Sequence, residues 1–251
     1  RLNGVKYFEK PALQYWATAT AYVLFGEHQW TARLWPGLTG FLGVLVVGFT
    51  GARLFGPRAG LYAAAVLASS FLYTMIAHVI TLDTGVTFFM TLALCGFLLA
   101  QRDGATPDDT RRWMRLTWLA LACSVLSKGL IGVVLPGAVL VLHTLLQRDW
   151  RLWTRLRLLE GLALFSLVAV PWFVLVTLRN PEFFHFFFIH EHFERFLTKV
   201  HERYQPWWFF IPIVVLGMLP WVLPFLDALT RAWRADAGGA GFKSRRFLFL
   251  W

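Results

Sequence analysis

A chain of 251 residues with 57% hydrophobic, 17% aromatic and only 15% charged side chains is too apolar for a soluble domain, where about 25% of residues are charged. A mean hydropathy of +0.56 and recurring long apolar runs without dyad alternation argue against a β-barrel and for an all-α, polytopic transmembrane helix bundle. The net charge of +10 points to nucleic acid only until its distribution is counted.

In chain order, the first element is Pro11–Phe25, with Pro in its first turn and Gly26 after its end, the usual punctuation of a helix. About 15 residues are too few to cross a bilayer, so it is expected to lie in the interface as an aromatic anchor or as the wall of a lipid-entry groove. A span needs roughly 20 apolar residues. Apolar runs of span type lie at Leu34–Phe55, Leu61–Val79, Gly85–Ala100, Leu116–Leu126, Leu130–Leu146, Leu159–Leu178 and Trp208–Leu226. Phe247–Trp251 is expected to open a further span, and with Arg at position 1 the chain is expected to be an internal segment. Residues 113–147 are expected to form two spans joined at Ser127-Lys128-Gly129, because one helix of that length would be about 52 Å long against a core of about 30 Å. Thr106-Pro107-Asp108-Asp109 reads as a turn or helix start, and Gly238-Gly239-Ala240-Gly241 as a flexible linker. Cys95 and Cys123 lie inside apolar runs and are expected to pack there, not to form a disulfide or metal framework.

The charges fix the orientation. The segments 101–115 and 148–157 are both basic, and two spans between them place both on the cytoplasmic side. Extending the alternation puts 15 Lys/Arg against 7 acids inside and 9 against 7 outside. The excess is therefore +8 inside and +2 outside, a topology signal that leaves no footprint for nucleic acid.

The outer face collects mixed polar residues in the loops 1–33 and 179–207. Glu9-Lys10-Pro11 is an acid–base pair at the mouth of an aromatic helix. Asp83 begins the third span, where a helix N-terminus favours an acid. Lys128 sits in the tight hairpin, placed to snorkel to water or to meet an anionic headgroup. Farther on, Phe183, Phe184, Phe186, Phe187, Phe188 and Ile189 form an apolar patch, followed by His190-Glu191-His192-Phe193-Glu194-Arg195. On a helix His190 and Glu194 share a face. The spacing is not His-Glu-x-x-His, so a zinc protease has no support; a solvated helix end and a metal site both remain open. Lys10, Lys128, Arg195 and Arg203 offer cations, and Glu9, Asp83 and His190 offer acids, bases or ligands. Cations beside an apolar groove suit a lipid that carries a phosphate.

Tyr7-Phe8-Glu9-Lys10-Pro11-Ala12-Leu13-Gln14-Tyr15-Trp16, Leu24-Phe25-Gly26-Glu27 and Trp30-Thr31-Ala32-Arg33-Leu34-Trp35-Pro36 closely resemble the bacterial aminoarabinose–lipid A transferases. These are polyprenyl-phosphate-sugar glycosyltransferases, a class that includes the protein O-mannosyltransferases. Thr81-Leu82-Asp83, Ser127-Lys128-Gly129 and Phe188-Ile189-His190-Glu191-His192-Phe193 follow in the order the resemblance expects.

The resemblance implies a GT-C type membrane bundle in the bacterial inner membrane, its active site facing the periplasm, of which this chain is the central part. It implies that Lys10 and Asp83 are catalytic, with Lys10 near the carrier phosphate and Tyr7 and Arg195 in the same cavity, and the residue reading adds Lys128 to these substrate- and phosphate-binding candidates. Glu9 and His190 would hold a structural Zn2+, and no nucleotide is needed. The donor would be undecaprenyl phosphate carrying 4-amino-4-deoxy-L-arabinose, and the acceptor a lipid A phosphate. The family's main catalytic aspartate lies upstream of the matched segment and its periplasmic domain downstream, so the chain alone is expected to be inactive. Two alternatives compete. One is a related transferase acting on a protein or another glycan. The other is a transporter, which predicts inverted repeats and helices broken near the midplane, with Pro136, Pro171, Pro212, Pro220 and Pro224 as candidate breaks.

Overall fold

The computed structural model describes residues 10–187, 205–234 and 242–251, which form thirteen α-helices and no strand. α1 (Leu13–Phe25) starts two residues later than its sequence pattern suggests, so Pro11 precedes the first turn and does not sit in it. It stops at Gly26, whose φ of 82° suits glycine. Gln14 and Ala21 face the bundle, while Tyr15, Trp16, Val23, Leu24 and Phe25 are exposed. A short helix with its aromatic face turned outward fits an interfacial element.

α2 (Gln29–Phe55) begins five residues before the apolar run, because Thr31 Oγ1 accepts from the His28 N–H at 2.9 Å and caps the extra turn. It packs on α3 (Pro57–Ser69) by close backbone approach. A Cβ on Gly60 would stand 2.4 Å from the Gly48 carbonyl oxygen and 2.6 Å from Ala52 Cβ. Small residues of this kind let membrane helices come within van der Waals contact.

The run Leu61–Val79 is not one span. It divides into α3 and α4 (Phe71–Ala77), bent by 65°, and the run Trp208–Leu226 likewise divides into α11 (Phe210–Gly217) and α12 (Val222–Arg234), bent by 108°. The two breaks hold each other. The Phe71 N–H donates to Leu219 O at 3.1 Å, and Trp221 Nε1 donates to Ser69 Oγ at 2.9 Å. Broken helices leave backbone groups that hydrocarbon cannot satisfy, and here each break supplies partners to the other. Of the five candidate prolines only Pro220 stands at a break. Pro136 and Pro171 lie inside continuous helices, and Pro212 and Pro224 fall in first turns, where a missing N–H removes no helical bond.

The central helices are α5 (Asp83–Ala100), α6 (Pro107–Lys128), α7 (Ile131–Gln147) and α9 (Leu158–Arg179), with a short α8 (Leu152–Arg155) before α9. α6 is twice the length of the run Leu116–Leu126. Its charged first turns, Asp108 to Arg115, continue the helix beyond the apolar stretch, and Thr106 caps it by accepting from the Asp109 N–H at 3.1 Å. By length and composition α2, α5 and α9 can each cross a membrane among the described residues, and each bent pair is either a broken span or a re-entrant loop. α6 carries charges at its start and α7 is a shorter apolar helix of 17 residues.

Contacts along the helices give their directions. Thr117 Oγ1 donates to Ala93 O at 3.2 Å and Thr110 Oγ1 to Ala100 O at 3.3 Å, so α5 and α6 run antiparallel. Trp118 meets Gly161, and Ala122 and Leu126 meet Ala169, so α6 and α9 run parallel. The basic segments around residues 111 and 157 therefore share one end of the bundle, and Asp83 and Lys128 share the other. A core of Phe97, Leu98, Met114, Leu152, Leu156 and Phe247 fills the basic end. There α13 (Ser244–Leu250) inserts a fully buried Phe247. Cys95 is buried and Cys123 half-buried, and both are free thiols.

Candidate active site

Asp83 stands in the first turn of α5 and Lys128 in the last turn of α6. Because the two helices are antiparallel, these turns are neighbours, and Lys128 Nζ donates to Asp83 Oδ1. Each charge also occupies the helix end whose dipole favours it. The side chains of Lys128 and Asp83 stay 32% and 45% exposed, so the pair adds no more than about 1 kcal/mol to stability. Gly129, at φ 104°, ends α6 and turns the chain, its N–H bonded to Val125 O at 2.8 Å. The hairpin is tight: a Cβ on Gly132 would lie 2.4 Å from Ser124 Oγ.

Trp35 of α2 packs beside the pair. Its indole Nε1 lies 3.2 Å from where a Cβ on Gly85 would be, and Ser127 Oγ lies 3.8 Å from the same point. Gly85 is two residues from Asp83, and Ser127 is adjacent to Lys128. Among the described residues the indole N–H has no hydrogen-bond partner. In the sequence Trp35 is visible only as part of the Trp35-Pro36 motif, with nothing to mark it as a neighbour of Asp83.

Lys10 stands three residues before the start of α1 at Leu13. Leu13, three residues on, packs against the cluster of Ala122, Leu126 and Ala169 on the last turns of α6 and the middle of α9. The entry of α1, and Lys10 with it, therefore lies at the Asp83–Lys128 end. At the same end α9 is followed by α10 (Glu182–Phe184). Phe183 and Phe187 are fully buried, with ring centroids 5.6 Å from Trp172 and 5.5 Å from Phe173, while Phe184 is exposed. Over its described residues, 183–187, the apolar patch thus has one side in the bundle and another facing out. Tyr7, Glu9, His190 and Arg195, with His192 and Arg203, lie outside the described residues. Among the described residues no group of three or more His, Cys, Asp or Glu gathers as a metal set.

At the other end three arginines converge on Glu160, which no motif or spacing marks. Arg111 Nε at 3.3 Å, Arg157 Nε at 2.8 Å and Arg115 Nε all donate to this one carboxylate. Three guanidinium groups on one acid leave the basic end strongly electropositive. Chemically, then, the bundle has two ends: a cationic rim with one shared acid, and a mixed end where two lysines and an aspartate border apolar helices.

The model of the dolichyl-phosphate-mannose-protein mannosyltransferase family matches residues 2–187. The chain belongs to this family. Among curated members, it is similar to undecaprenyl phosphate-alpha-4-amino-4-deoxy-L-arabinose arabinosyl transferase 1 of Proteus mirabilis, with 35% identity over 94% of this chain and 43% of that protein. It is also similar to the transferase of that name from Pseudomonas aeruginosa, with 35% identity over 92% of this chain and 42% of that protein. The chain thus spans less than half the length of these relatives. Among solved structures it resembles ArnT from Cupriavidus metallidurans bound to undecaprenyl phosphate, at 39% identity and a TM-score of 0.95 over 100% of this chain and 45% of that one. Against the apo state of the same protein the TM-score is 0.91. The GT-C membrane fold of these transferases is the fold of this family member.

Proposed function

We propose that this chain is the central part of an integral inner-membrane glycosyltransferase. It moves a sugar, 4-amino-4-deoxy-L-arabinose, from undecaprenyl phosphate to a lipid A phosphate on the periplasmic face. The observation that carries the reading is the Asp83–Lys128 pair, set at the end where Lys10 enters, on a backbone that matches a carrier-bound transferase at a TM-score of 0.95.

In this reading Lys10 and Lys128 hold the carrier phosphate, and Tyr7 and Arg195 line the same cavity. An oxygen of the acceptor phosphate attacks the anomeric carbon. The bond from that carbon to the carrier's phosphate oxygen breaks, and its electron pair leaves with undecaprenyl phosphate. The ammonium groups stabilise the charge that grows on the leaving phosphate. The acceptor is already ionised, so no strong base is required. When the phosphate engages Lys128, Asp83 is released from its ion pair to accept a hydrogen bond from a sugar hydroxyl and so orient the ring. Glu9 and His190 together hold a structural zinc ion in this reading. Elemental analysis of the purified complete protein tests that part: equal zinc in wild type and His190→Ala rules the pair out.

Mass spectrometry of lipid A from cells that lack their own transferase and carry the complete gene tests the function. Aminoarabinose on a lipid A phosphate supports it. The family's description as protein mannosyltransferases favours a second reading, in which unmodified lipid A is accompanied by newly glycosylated proteins.

A further inference from the structure

At the basic end, opposite the proposed active site, the α5–α6 loop and the α8 turn border a cavity of about 500 Å3. Its chemistry is carried by Gln101, Arg102, Asp103, Arg155 and Arg157, with Phe242 as an apolar wall. Gln101 follows the last turn of α5 and is 9% exposed. Arg155 Nη1 donates to Gln101 Oε1 at 3.5 Å. A guanidinium carries donors only, so the amide must turn its oxygen toward Arg155. The amide NH2 is then left buried with no partner among the described residues. A buried donor in that state is costly until an acceptor arrives.

The charges around it are unevenly matched. Arg102 is paired with Asp109 at 3.0 Å, and Arg157 with Glu160 at 2.8 Å, an acid it shares with Arg111 and Arg115. Arg155 has no carboxylate partner among the described residues. Asp103 is the one acid among the lining residues. The fitting occupant is a compact anion that only accepts hydrogen bonds, which describes a phosphate. The cavity opens at the C-terminal end of α5, a helix long and apolar enough to cross a membrane, where a headgroup phosphate is within reach, and Phe242 offers contact to the apolar part of such a molecule.

We propose that this cavity binds the phosphate of an anionic phospholipid in the leaflet at the basic end of the bundle. The site is separate from the transferase centre and does not depend on the function proposed for it.

The test uses the purified complete protein in nanodiscs, titrated with phosphatidylglycerol against a phosphatidylcholine background, with retained lipid counted by native mass spectrometry. Arg155→Gln is expected to weaken phosphatidylglycerol retention about fivefold, the effect of one basic residue near a charged membrane surface. Gln101→Glu removes the donor, adds a negative charge and is expected to abolish retention. Arg58→Gln removes the same charge from an exposed position at this end, outside the cavity, and is expected to retain wild-type binding. Thermal unfolding with and without phosphatidylglycerol is the second readout, and the lipid-induced rise is expected to vanish in Gln101→Glu and to shrink in Arg155→Gln. Equal weakening by Arg58→Gln and Arg155→Gln assigns the effect to diffuse charge and overturns the proposal. Displacement of the lipid by millimolar inorganic phosphate assigns the cavity to a free anion and overturns the lipid assignment.

Discussion

Replacing Lys128 by Ala separates a structural ion pair from a phosphate-binding one. In the resting structure the lysine meets only a partly exposed partner, with side-chain exposures of 32% and 45%. The pair therefore contributes about 0.2–1 kcal/mol to folding. The thermal midpoint of the complete protein should fall by no more than about 2–4 °C. A charge-assisted hydrogen bond to the phosphate of a bound carrier is worth about 1.5–3 kcal/mol. Its loss lowers transfer about 10- to 150-fold, since every 1.4 kcal/mol is tenfold. The assay is transfer of the sugar from its undecaprenyl carrier to lipid A in detergent, beside thermal unfolding of the same samples. The charge-swapped pair, Asp83→Lys with Lys128→Asp, sharpens the comparison. It re-forms the ion pair but sets each charge against its helix dipole, so the midpoint recovers only in part, and it places the ammonium on the wrong helix and leaves transfer low. If the swap restores transfer with stability, or Lys128→Ala transfers normally, Lys128 acts through Asp83 alone and the phosphate role is refuted.

Three more outcomes follow from the packing. Gly161→Ala places a Cβ 2.0 Å from Trp118 Nε1 and must move the indole off Leu156 O, to which it donates at 2.9 Å. The α6–α9 contact should lose about 1–3 kcal/mol, read as a lower unfolding midpoint, and an unchanged midpoint contradicts this packing. Single cysteines at Ala105, in the α5–α6 loop, and Glu182, beyond α9, should react with an impermeant thiol reagent from opposite sides of the membrane, and labelling from one side contradicts the helix directions. Gly132→Ala should weaken the α6–α7 hairpin through its clash with Ser124 and lower transfer by shifting Lys128, an effect absent for Gly137→Ala, where a Cβ meets nothing within 4 Å.

The membrane bundle was legible in the sequence because hydrocarbon imposes one rule on every span: long apolar runs with internally satisfied backbones. The hairpin at Ser127-Lys128-Gly129 was legible from charge alternation, and the structure turns there at Gly129. Hydropathy did not reveal where α6 begins, because a helix that continues into water keeps its hydrogen bonds while losing its apolar character. Nor did it reveal the break at Ser70, which no proline or glycine marks. That break is held by Leu219 and Trp221, about 150 positions away. The candidate site shows the same division. Asp83 and Lys128 were each placed on the outer face by topology, but their contact spans 45 positions and depends on the antiparallel packing of α5 and α6. Trp35 and Gln101 carried no signal of their own, because a polar group left without a partner is visible only after its neighbours are in place. The roles of Tyr7, Glu9, His190 and Arg195 rest on the resemblance, since they lie outside the described residues.

The most direct measurement of the central claim is a reconstituted reaction. The complete protein is incubated with undecaprenyl-phosphate-linked aminoarabinose and lipid A, without nucleotide, and both lipids are followed by mass spectrometry. Aminoarabinose is expected to appear on a lipid A phosphate as undecaprenyl phosphate is released in equal amount, and Lys10→Ala, still folded, to stop both. A folded wild-type protein that leaves the sugar on its carrier contradicts the claim.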